Sequence, residues 1–414
     1  MPPFRPGTEA RCPRCSAVLR HGREQSLASA AALSLACLIA YGVTMLAPFL
    51  SLNLLGRVRD SRVPTGIEGF VQDGLWQVGA MVAITLVALP ALRVSLRLIV
   101  LFGLQASRPP AWLHRAFRWH ERLGPWAMLE VFLFGALIAY SRMVDMATVQ
   151  IGPAAWSLGG LVLLLSAADA TLARQAVWQA LEQRGCTRAA PPTAPPPATD
   201  VAEPPALPPA SRRIGCGCCR LLLEARNGQA CPRCGSALHR RRPDSVARCW
   251  ALIVSAAILY VPANYYPVMN ILRLGQGGPH TILGGVVEFV ENGYWPLAAI
   301  VFLASVAIPV LKLLGLAAML LGIRVRSSQH LAGRTRLYRF IDAIGRWSMI
   351  DVFVVSVLIA LVRFGELTNI SAELGAACFG AVVVLTIFAA QTFDPRLMWD
   401  AAEGGAVPAD GRGR

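Results

Sequence analysis

The nine residues GPWAMLEVF at Gly124–Phe132 return as GRWSMIDVF at Gly345–Phe353, a shift of 221 positions, and each opens a long apolar run. The correspondence extends outward from there. CPRC at Cys12–Cys15 recurs at Cys231–Cys234, a shift of 219, and the same shift carries Pro48 onto Pro267, Trp76 onto Trp295, Pro90 onto Pro309 and Arg93 onto Lys312. A small insertion in the following loop moves the shift to 221, at which Glu130 meets Asp351. Self-similarity over half a chain marks a duplicated unit. Each unit carries four runs long enough to cross about 30 Å of hydrocarbon at about 1.5 Å per residue. The expected fold is therefore an all-α polytopic membrane protein: two four-helix transmembrane repeats, each preceded by a small cysteine knuckle.

The eight expected crossings are Leu27 to Leu50, Gln77 to Leu104, Pro125 to Val144, Ala154 to Leu172, Val246 to Pro267, Tyr294 to Ile323, Trp347 to Phe364 and Leu374 to Thr392. An even number per unit sends both repeats in from the same side, so the repeats are parallel. Composition agrees, with 55% of the 414 residues hydrophobic and 15% charged, and a mean hydropathy of +0.50. The formal net charge of +15 does not indicate nucleic acid, because the arginines gather in alternate loops as membrane topology demands. By that rule the N-terminus, the loops around 108–122, 174–248 and 324–346, and the C-terminal tail are expected in the cytoplasm. The first apolar run is too long for a signal-peptide core and is read as retained.

Six segments follow from these boundaries: a half ribbon over 1–26, a first membrane domain over 27–185, a linker over 186–211, a complete ribbon over 212–243, a second membrane domain over 244–400 and a tail over 401–414. The linker contains PPTAPPPATDVAEPPALPPA, too rich in Pro and Ala to build a core.

Cys216, Cys219, Cys231 and Cys234 form two C-x-x-C knuckles with the ligand spacing of a zinc ribbon. Four thiolates on tight turns close a tetrahedral site, and the metal supplies folding free energy that so short a segment cannot gain by burial. Zinc is the expected ion; a single iron fits the same ligands. The first copy has only Cys12 and Cys15, so a metal there needs another ligand such as His21, and a metal-free knuckle is the alternative. Cys37, Cys249 and Cys378 fall in or beside apolar runs and read as small hydrophobes.

Lys312 stands near the middle of its apolar run, where a charge costs roughly 2.5–3.5 kcal/mol or more and usually faces a protein interior or wet cavity. Ser305 lies seven residues earlier on the same helical face. Pro309, between them, frees a backbone carbonyl and bends the helix. Candidate partners are Ser348, Asp351, Thr386 and Asp169, with Arg93 and Glu130 in the equivalent places of the first copy. Such a network can take up and release protons; the alternative is a lysine that reaches the interface and pairs with Asp351. The basic and aromatic stretches AWLHRAFRWHERLGPW and RTRLYRFIDAIGRW suit helices in a headgroup layer. On the opposite side, TGIEGFVQDGLW and TILGGVVEFVENGYW are placed to cap the bundle or meet a partner. No Walker loop, nucleophile elbow, zincin motif or dinucleotide fingerprint occurs.

The duplicated CPRC, the P-x-x-[RK] of each second crossing, the paired GPWAMLEVF and GRWSMIDVF, and the closing FDPRLMWD at Phe393–Asp400 together resemble the paraquat-inducible protein A family over nearly the whole chain. The resemblance implies a Gram-negative inner-membrane component, with cytoplasmic termini and ribbons, that works with a periplasmic mammalian-cell-entry-type protein to move phospholipid between membranes without breaking a chemical bond. It also implies a polar network at Ser305, Lys312, Ser348 and Thr386, with Asp169 contributing. A membrane scaffold for the periplasmic partner and a metal or redox sensor are the alternative functions.

Overall fold

The computed structural model describes residues 9–11, 18–21, 27–54, 57–144, 148–187, 213–273, 276–362 and 368–404. Cys12 and Cys15, and all but the first two residues of the expected linker, lie outside the described residues. A short hairpin, β1 (Glu9–Arg11) and β2 (Val18–His21), precedes α1 (Leu27–Leu46), the first crossing. Pro48 stops α1 before the expected end at Leu50, and the chain turns instead into β3 (Leu50–Leu54) and β4 (Arg57–Ser61).

The remainder of the first copy is α2 (Thr65–Gln72), α3 (Trp76–Val82), α4 (Leu89–Gln105), α5 (Leu113–Leu123), α6 (Leu129–Val144), β5 (Thr148–Ile151), α7 (Pro153–Thr171) and α8 (Arg174–Gln183). After the ribbon strands β6 (Arg213–Gly215) and β7 (Leu222–Glu224), the second copy repeats the plan. It runs α9 (Ser245–Tyr265), β8 (Met269–Arg273), β9 (Gln276–His280), α10 (Ile282–Glu291), α11 (Trp295–Phe302), α12 (Ile308–Arg324), α13 (Leu331–Ile344), α14 (Ile350–Leu361), β10 (Thr368–Ala372), α15 (Leu374–Thr392) and a final α16 (Arg396–Ala402). Eight helical spans are long and apolar enough to cross a membrane, and each overlaps one of the eight expected crossings, the third and seventh starting earlier, at Leu113 and Leu331. The chain is a multi-pass membrane protein.

Each second crossing is a continuous helical span with a wide π turn in it, at Ala83–Ala88 between α3 and α4 and at Leu303–Ala307 between α11 and α12. The cause is Pro90 in one and Pro309 in the other. A proline has no N–H for the carbonyl four residues back, so the ladder widens just before it. In the first copy the Tyr41 hydroxyl donates to Val87 O at 2.8 Å, supplying a donor within the widened turn.

In each copy the first and fourth crossings pair, α1 along α7 and α9 along α15. The third crossings, α6 and α14, pack on each other and join the copies. Phe132 meets Phe353 edge-on at 5.6 Å, Phe134 meets Trp347 at 5.0 Å, and Gly135 lets the backbone of α14 approach closely. Every residue of α14 except Asp351 is buried, which makes it the central helix of the assembly.

Two three-stranded antiparallel sheets, in the orders β4-β3-β5 and β10-β8-β9, gather the loops at one end of the bundle. They add strands to an all-helical expectation. Register is regular: Leu52 faces Arg59 and Val149, and Ile271 faces Gly278 and Ile370. These strands of four or five residues lie between apolar helices, so alternation over so few positions leaves little pattern to read. On this sheet face the expected cap takes different forms in the two copies. Helix α2 sits on α14, with Gly66 against Ser356, and Asp73 accepts a hydrogen bond from Ala372 N of β10 at 2.9 Å. Its counterpart α10 leaves Leu283 and Val287 exposed.

The opposite end carries the ribbon. Its core is continuous with the ends of α4, α5 and α8, including Phe117, Trp178, Leu181 and Cys186. The apolar side of the amphipathic α5 therefore packs largely against protein, while Trp119 on its other side is exposed.

Candidate functional site

Lys312 lies on α12, one turn after Pro309, and only 1% of it is exposed. Its Nζ donates to Gly345 O at 2.8 Å, to Ser348 Oγ at 2.8 Å and to Thr386 Oγ1 at 3.5 Å. An ammonium has three protons, and three oxygens receive them. Gly345 and Ser348 belong to the 3-10 turn that opens α14, and Thr386 belongs to α15. The lysine thus ties three elements of the second copy together.

Thr386 spends its own hydroxyl proton on Val383 O at 2.9 Å, which turns its oxygen towards the lysine as an acceptor. All three acceptors are neutral. Ser305 is buried above Lys312 in the π turn and donates to Val301 O at 2.6 Å. It lines the same helix but bonds to its own backbone.

Asp351 and Asp169, both candidates for pairing with Lys312, are placed elsewhere. Asp351 lines a small cavity of about 50 Å³ that runs towards the sheet face between α10 and α14, with Val301, Val354 and Val355 deep inside and His280 and Glu288 further out. His280 Nδ1 and Glu288 Oε2 are 3.6 Å apart. Asp169 ends α7 in the first copy, where it accepts from Arg93 at 2.8 Å and from Arg97 at 2.6 Å; Arg97 also reaches Ala168 O at 2.9 Å. Glu130, the counterpart of Asp351, faces Arg346 across the boundary between the copies at 3.8 Å.

The two copies therefore solve the same problem differently. At the position of Lys312 the first copy has an arginine held in a cluster of two guanidiniums and one carboxylate. The second copy has a lysine among uncharged oxygens. A guanidinium stays protonated at any physiological pH, and of the two groups an ammonium gives up its proton more readily. Arg97 was not singled out from the sequence. It is 3% exposed, and the signal was available: it stands four residues after Arg93, on the same helical face of an apolar run.

The second site is the cysteine cluster. Cys216 and Cys219 sit on one knuckle, Cys231 and Cys234 on the other, and the four sulfurs lie within 4.8 Å of one another. Cross-knuckle Sγ separations are 3.5 Å for Cys216–Cys234 and 3.6 Å for Cys219–Cys231. Four sulfurs about 2.3 Å from a tetrahedral zinc stand about 3.8 Å apart, so the cluster is of the right size for such an ion. Hydrogen bonding from the Cys219 and Cys231 thiols draws Cys216 down to about 6, and contact with Cys216 draws Cys234 down as well. Metals bind cysteine in the thiolate form. Cys218 is only half-buried and stands outside the four.

The ribbon is fastened to both halves of the chain. Arg233 grips Glu182 of α8 through two hydrogen bonds, at 2.5 and 2.6 Å, and Arg118 of α5 donates to Cys234 O at 3.2 Å. On the other side Arg241 grips Asp400 of α16, at 2.5 and 2.7 Å, and Arg242 donates to Phe393 O at 3.1 Å. The segment FDPRLMWD thereby becomes a latch: Phe393 is fully buried, and Asp394 accepts from the Arg242 and Arg396 backbone amides.

Comparison with known proteins agrees with this duplicated plan. The family model described as paraquat-inducible protein A matches residues 27–182 and again residues 246–403. The chain is 31% identical over 406 residues to the lipophilic envelope-spanning tunnel protein A of Escherichia coli (strain K12), covering 98% of this chain and 90% of that protein. It is likewise 31% identical to the intermembrane transport protein PqiA of the same strain, covering 97% and 93%. A probable intermembrane transport protein of Haemophilus influenzae is 27% identical, covering 94% of this chain and 90% of that protein. No solved structure matches. With both membrane-embedded repeats matched by one family model and relatives aligned over nearly their full lengths, this chain belongs to the paraquat-inducible protein A family.

Proposed function

We propose that this protein is the inner-membrane component of a phospholipid transport system, loading or extracting lipid for a periplasmic mammalian-cell-entry-type partner. The relatives' names, with their reference to intermembrane transport and an envelope-spanning tunnel, support the transport class. The arginine-rich ribbon face is the cytoplasmic one by the positive-inside rule, which leaves the two sheets in the periplasm. No bond need be broken; the chain moves an amphiphile.

The observation that carries the mechanism is the setting of Lys312. Its three acceptors come from the opening of α14 and from α15, so loss of its proton weakens contacts among α12, α14 and α15 together. The π turn and Pro309 give the second crossing a place to bend. Helix α14 reaches from this network towards the sheet face, and Asp351 and Val354 on it line the outward cavity. A change of charge at Lys312 is thereby coupled to the face on which lipid is handed over. Ser305, Ser348 and Thr386 support the lysine, while Arg93 and Asp169 brace the first copy and Glu130 faces Arg346 of the second. Zinc at Cys216, Cys219, Cys231 and Cys234 has a structural role, fastening the ribbon between the halves.

The test is transfer of fluorescent phospholipid from proteoliposomes containing this protein to the purified partner. Partner-dependent transfer that Lys312→Ala abolishes supports the reading. Transfer unaffected by Lys312→Ala but lost on substituting the sheet face makes the protein a scaffold instead. Iron found at the ribbon in place of zinc favours a redox sensor.

A further inference from the structure

On the ribbon face, between the two copies, lies an open vestibule of about 850 Å³. Its walls come from α4, α5, α13, α15 and the first cysteine knuckle, and six arginines line it: Arg93, Arg122, Arg174, Arg220, Arg242 and Arg346. Only four carboxylates share the lining, so cations are in excess. Three of the arginines are close to a carboxylate, Arg174 at 3.1 Å from Glu121, Arg93 at 2.8 Å from Asp169 and Arg346 at 3.8 Å from Glu130, and Asp169 is already shared with Arg97. Both Arg93 Nε and Arg97 Nε are buried donors without an acceptor. Arg122 has its guanidinium 5.8 Å over the Trp119 ring, and Arg220, without a side-chain hydrogen bond among the described residues, faces the vestibule carboxylate Glu121 through its charge alone.

Arg220 occupies a position where its backbone argues against it. It follows the second cysteine of its knuckle with φ of 56°, in the left-handed region, and the same position of the other knuckle is Gly235, with φ of 72°. Glycine takes that conformation freely, while a residue with a side chain is strained there. The knuckle needs no side chain there. What an arginine adds is a guanidinium in the vestibule wall.

The geometry points to a phosphate-binding site in this vestibule, formed by Arg220 and Arg122 at its mouth and Arg93 at its base. Guanidinium forks match phosphate oxygens in pairs, and a phosphate supplies the acceptors that the excess cations lack. The volume holds a whole phosphorylated headgroup or small organic phosphate. Leu172, Ile387 and Ala390 provide apolar wall beside the arginines, which suits a phospholipid headgroup as well as a soluble phosphate. The vestibule borders the Lys312 network at Gly345, whose carbonyl accepts from Lys312, but its occupancy is measurable without any transfer step.

The experiment is equilibrium binding to the full chain in a nonionic detergent, followed by calorimetry. The probes are glycerol 3-phosphate, short-chain phosphatidylglycerol and, as a phosphate-free control, short-chain diacylglycerol. Saturable binding of either phosphate probe, weakened at least tenfold by Arg220→Gly while metal content stays at the wild-type level, supports the site. Binding of glycerol 3-phosphate assigns a soluble ligand; binding of phosphatidylglycerol alone assigns a headgroup. Arg122→Gln provides the same reading if Arg220→Gly disturbs the ribbon. No saturable binding of a phosphate probe, equal binding of diacylglycerol, or full affinity in a folded Arg220→Gly or Arg122→Gln protein overturns the proposal.

Discussion

Lys312 Nζ lies 2.8 Å from Ser348 Oγ, so the middle of α12 is tied to the turn that opens α14. Replacing Ser348 with Ala leaves one ammonium proton buried without its partner. The expected cost is about 1–3 kcal/mol, read as a lower Tm for the protein in detergent. An unchanged Tm contradicts a charged lysine at this depth.

Two substitutions that each remove one charge are expected to differ in sign or size. Lys312→Met keeps the chain's bulk and removes a charge whose partners are neutral, so the stability change stays within about 1.5 kcal/mol in either direction. Asp169→Ala leaves Arg93 and Arg97 side by side without their common acceptor. Asp169 is 41% exposed, so water relieves part of the penalty, and the expected loss is about 1–3 kcal/mol. Thermal unfolding of both variants under one condition checks the contrast.

Gly66 marks the contact between the copies on the sheet face, since a side chain there would overlap the Ser356 hydroxyl and carbonyl. Gly66→Val is expected to destabilise by about 1–3 kcal/mol by forcing α2 off α14. Gly159 of α7 has open space around it, so Gly159→Ala is neutral or stabilising by up to about 1 kcal/mol. Reversal of that order contradicts the packing of α2 on α14.

Stripping the metal is expected to loosen more than the ribbon. The knuckles hold Arg233 against Glu182 and Cys234 O against Arg118, and thiolates without a metal lose the tetrahedral anchor that shapes them. Chelation, or Cys231→Ser, should remove one equivalent of metal per chain and speed hydrogen exchange in α8. Metal loss with no change in α8 exchange contradicts the fastening role.

Much of this architecture was legible as repetition. The paired GPWAMLEVF and GRWSMIDVF lie where the copies join, and the spacing of Cys216, Cys219, Cys231 and Cys234 already described a four-sulfur cluster. Lys312 stood out because a charge in an apolar run has few physical excuses. Its partners were less legible. Asp351 is a plausible counter-ion by proximity in sequence, yet the 3-10 turn at Gly345–Met349 sets Ser348 and Gly345 towards Lys312 while Asp351 lines the outward cavity. Asp169 serves Arg93 and Arg97 because they share its own copy and its own depth. The ribbon's attachment to α5 and α8 could not be read either, since Arg233 and Glu182 are 51 positions apart with no pattern to pair them. The same holds for the vestibule, whose arginines are scattered over 93–346.

The central claim is that Lys312 carries a releasable proton that is coupled to lipid movement. It is tested most directly by the rate of phospholipid transfer to the partner across a pH series, comparing wild type with Lys312→Met. The account predicts a rate that depends on pH in the wild type, and in the variant a residual rate that is low and flat. A variant that keeps both the wild-type rate and the wild-type pH dependence contradicts it.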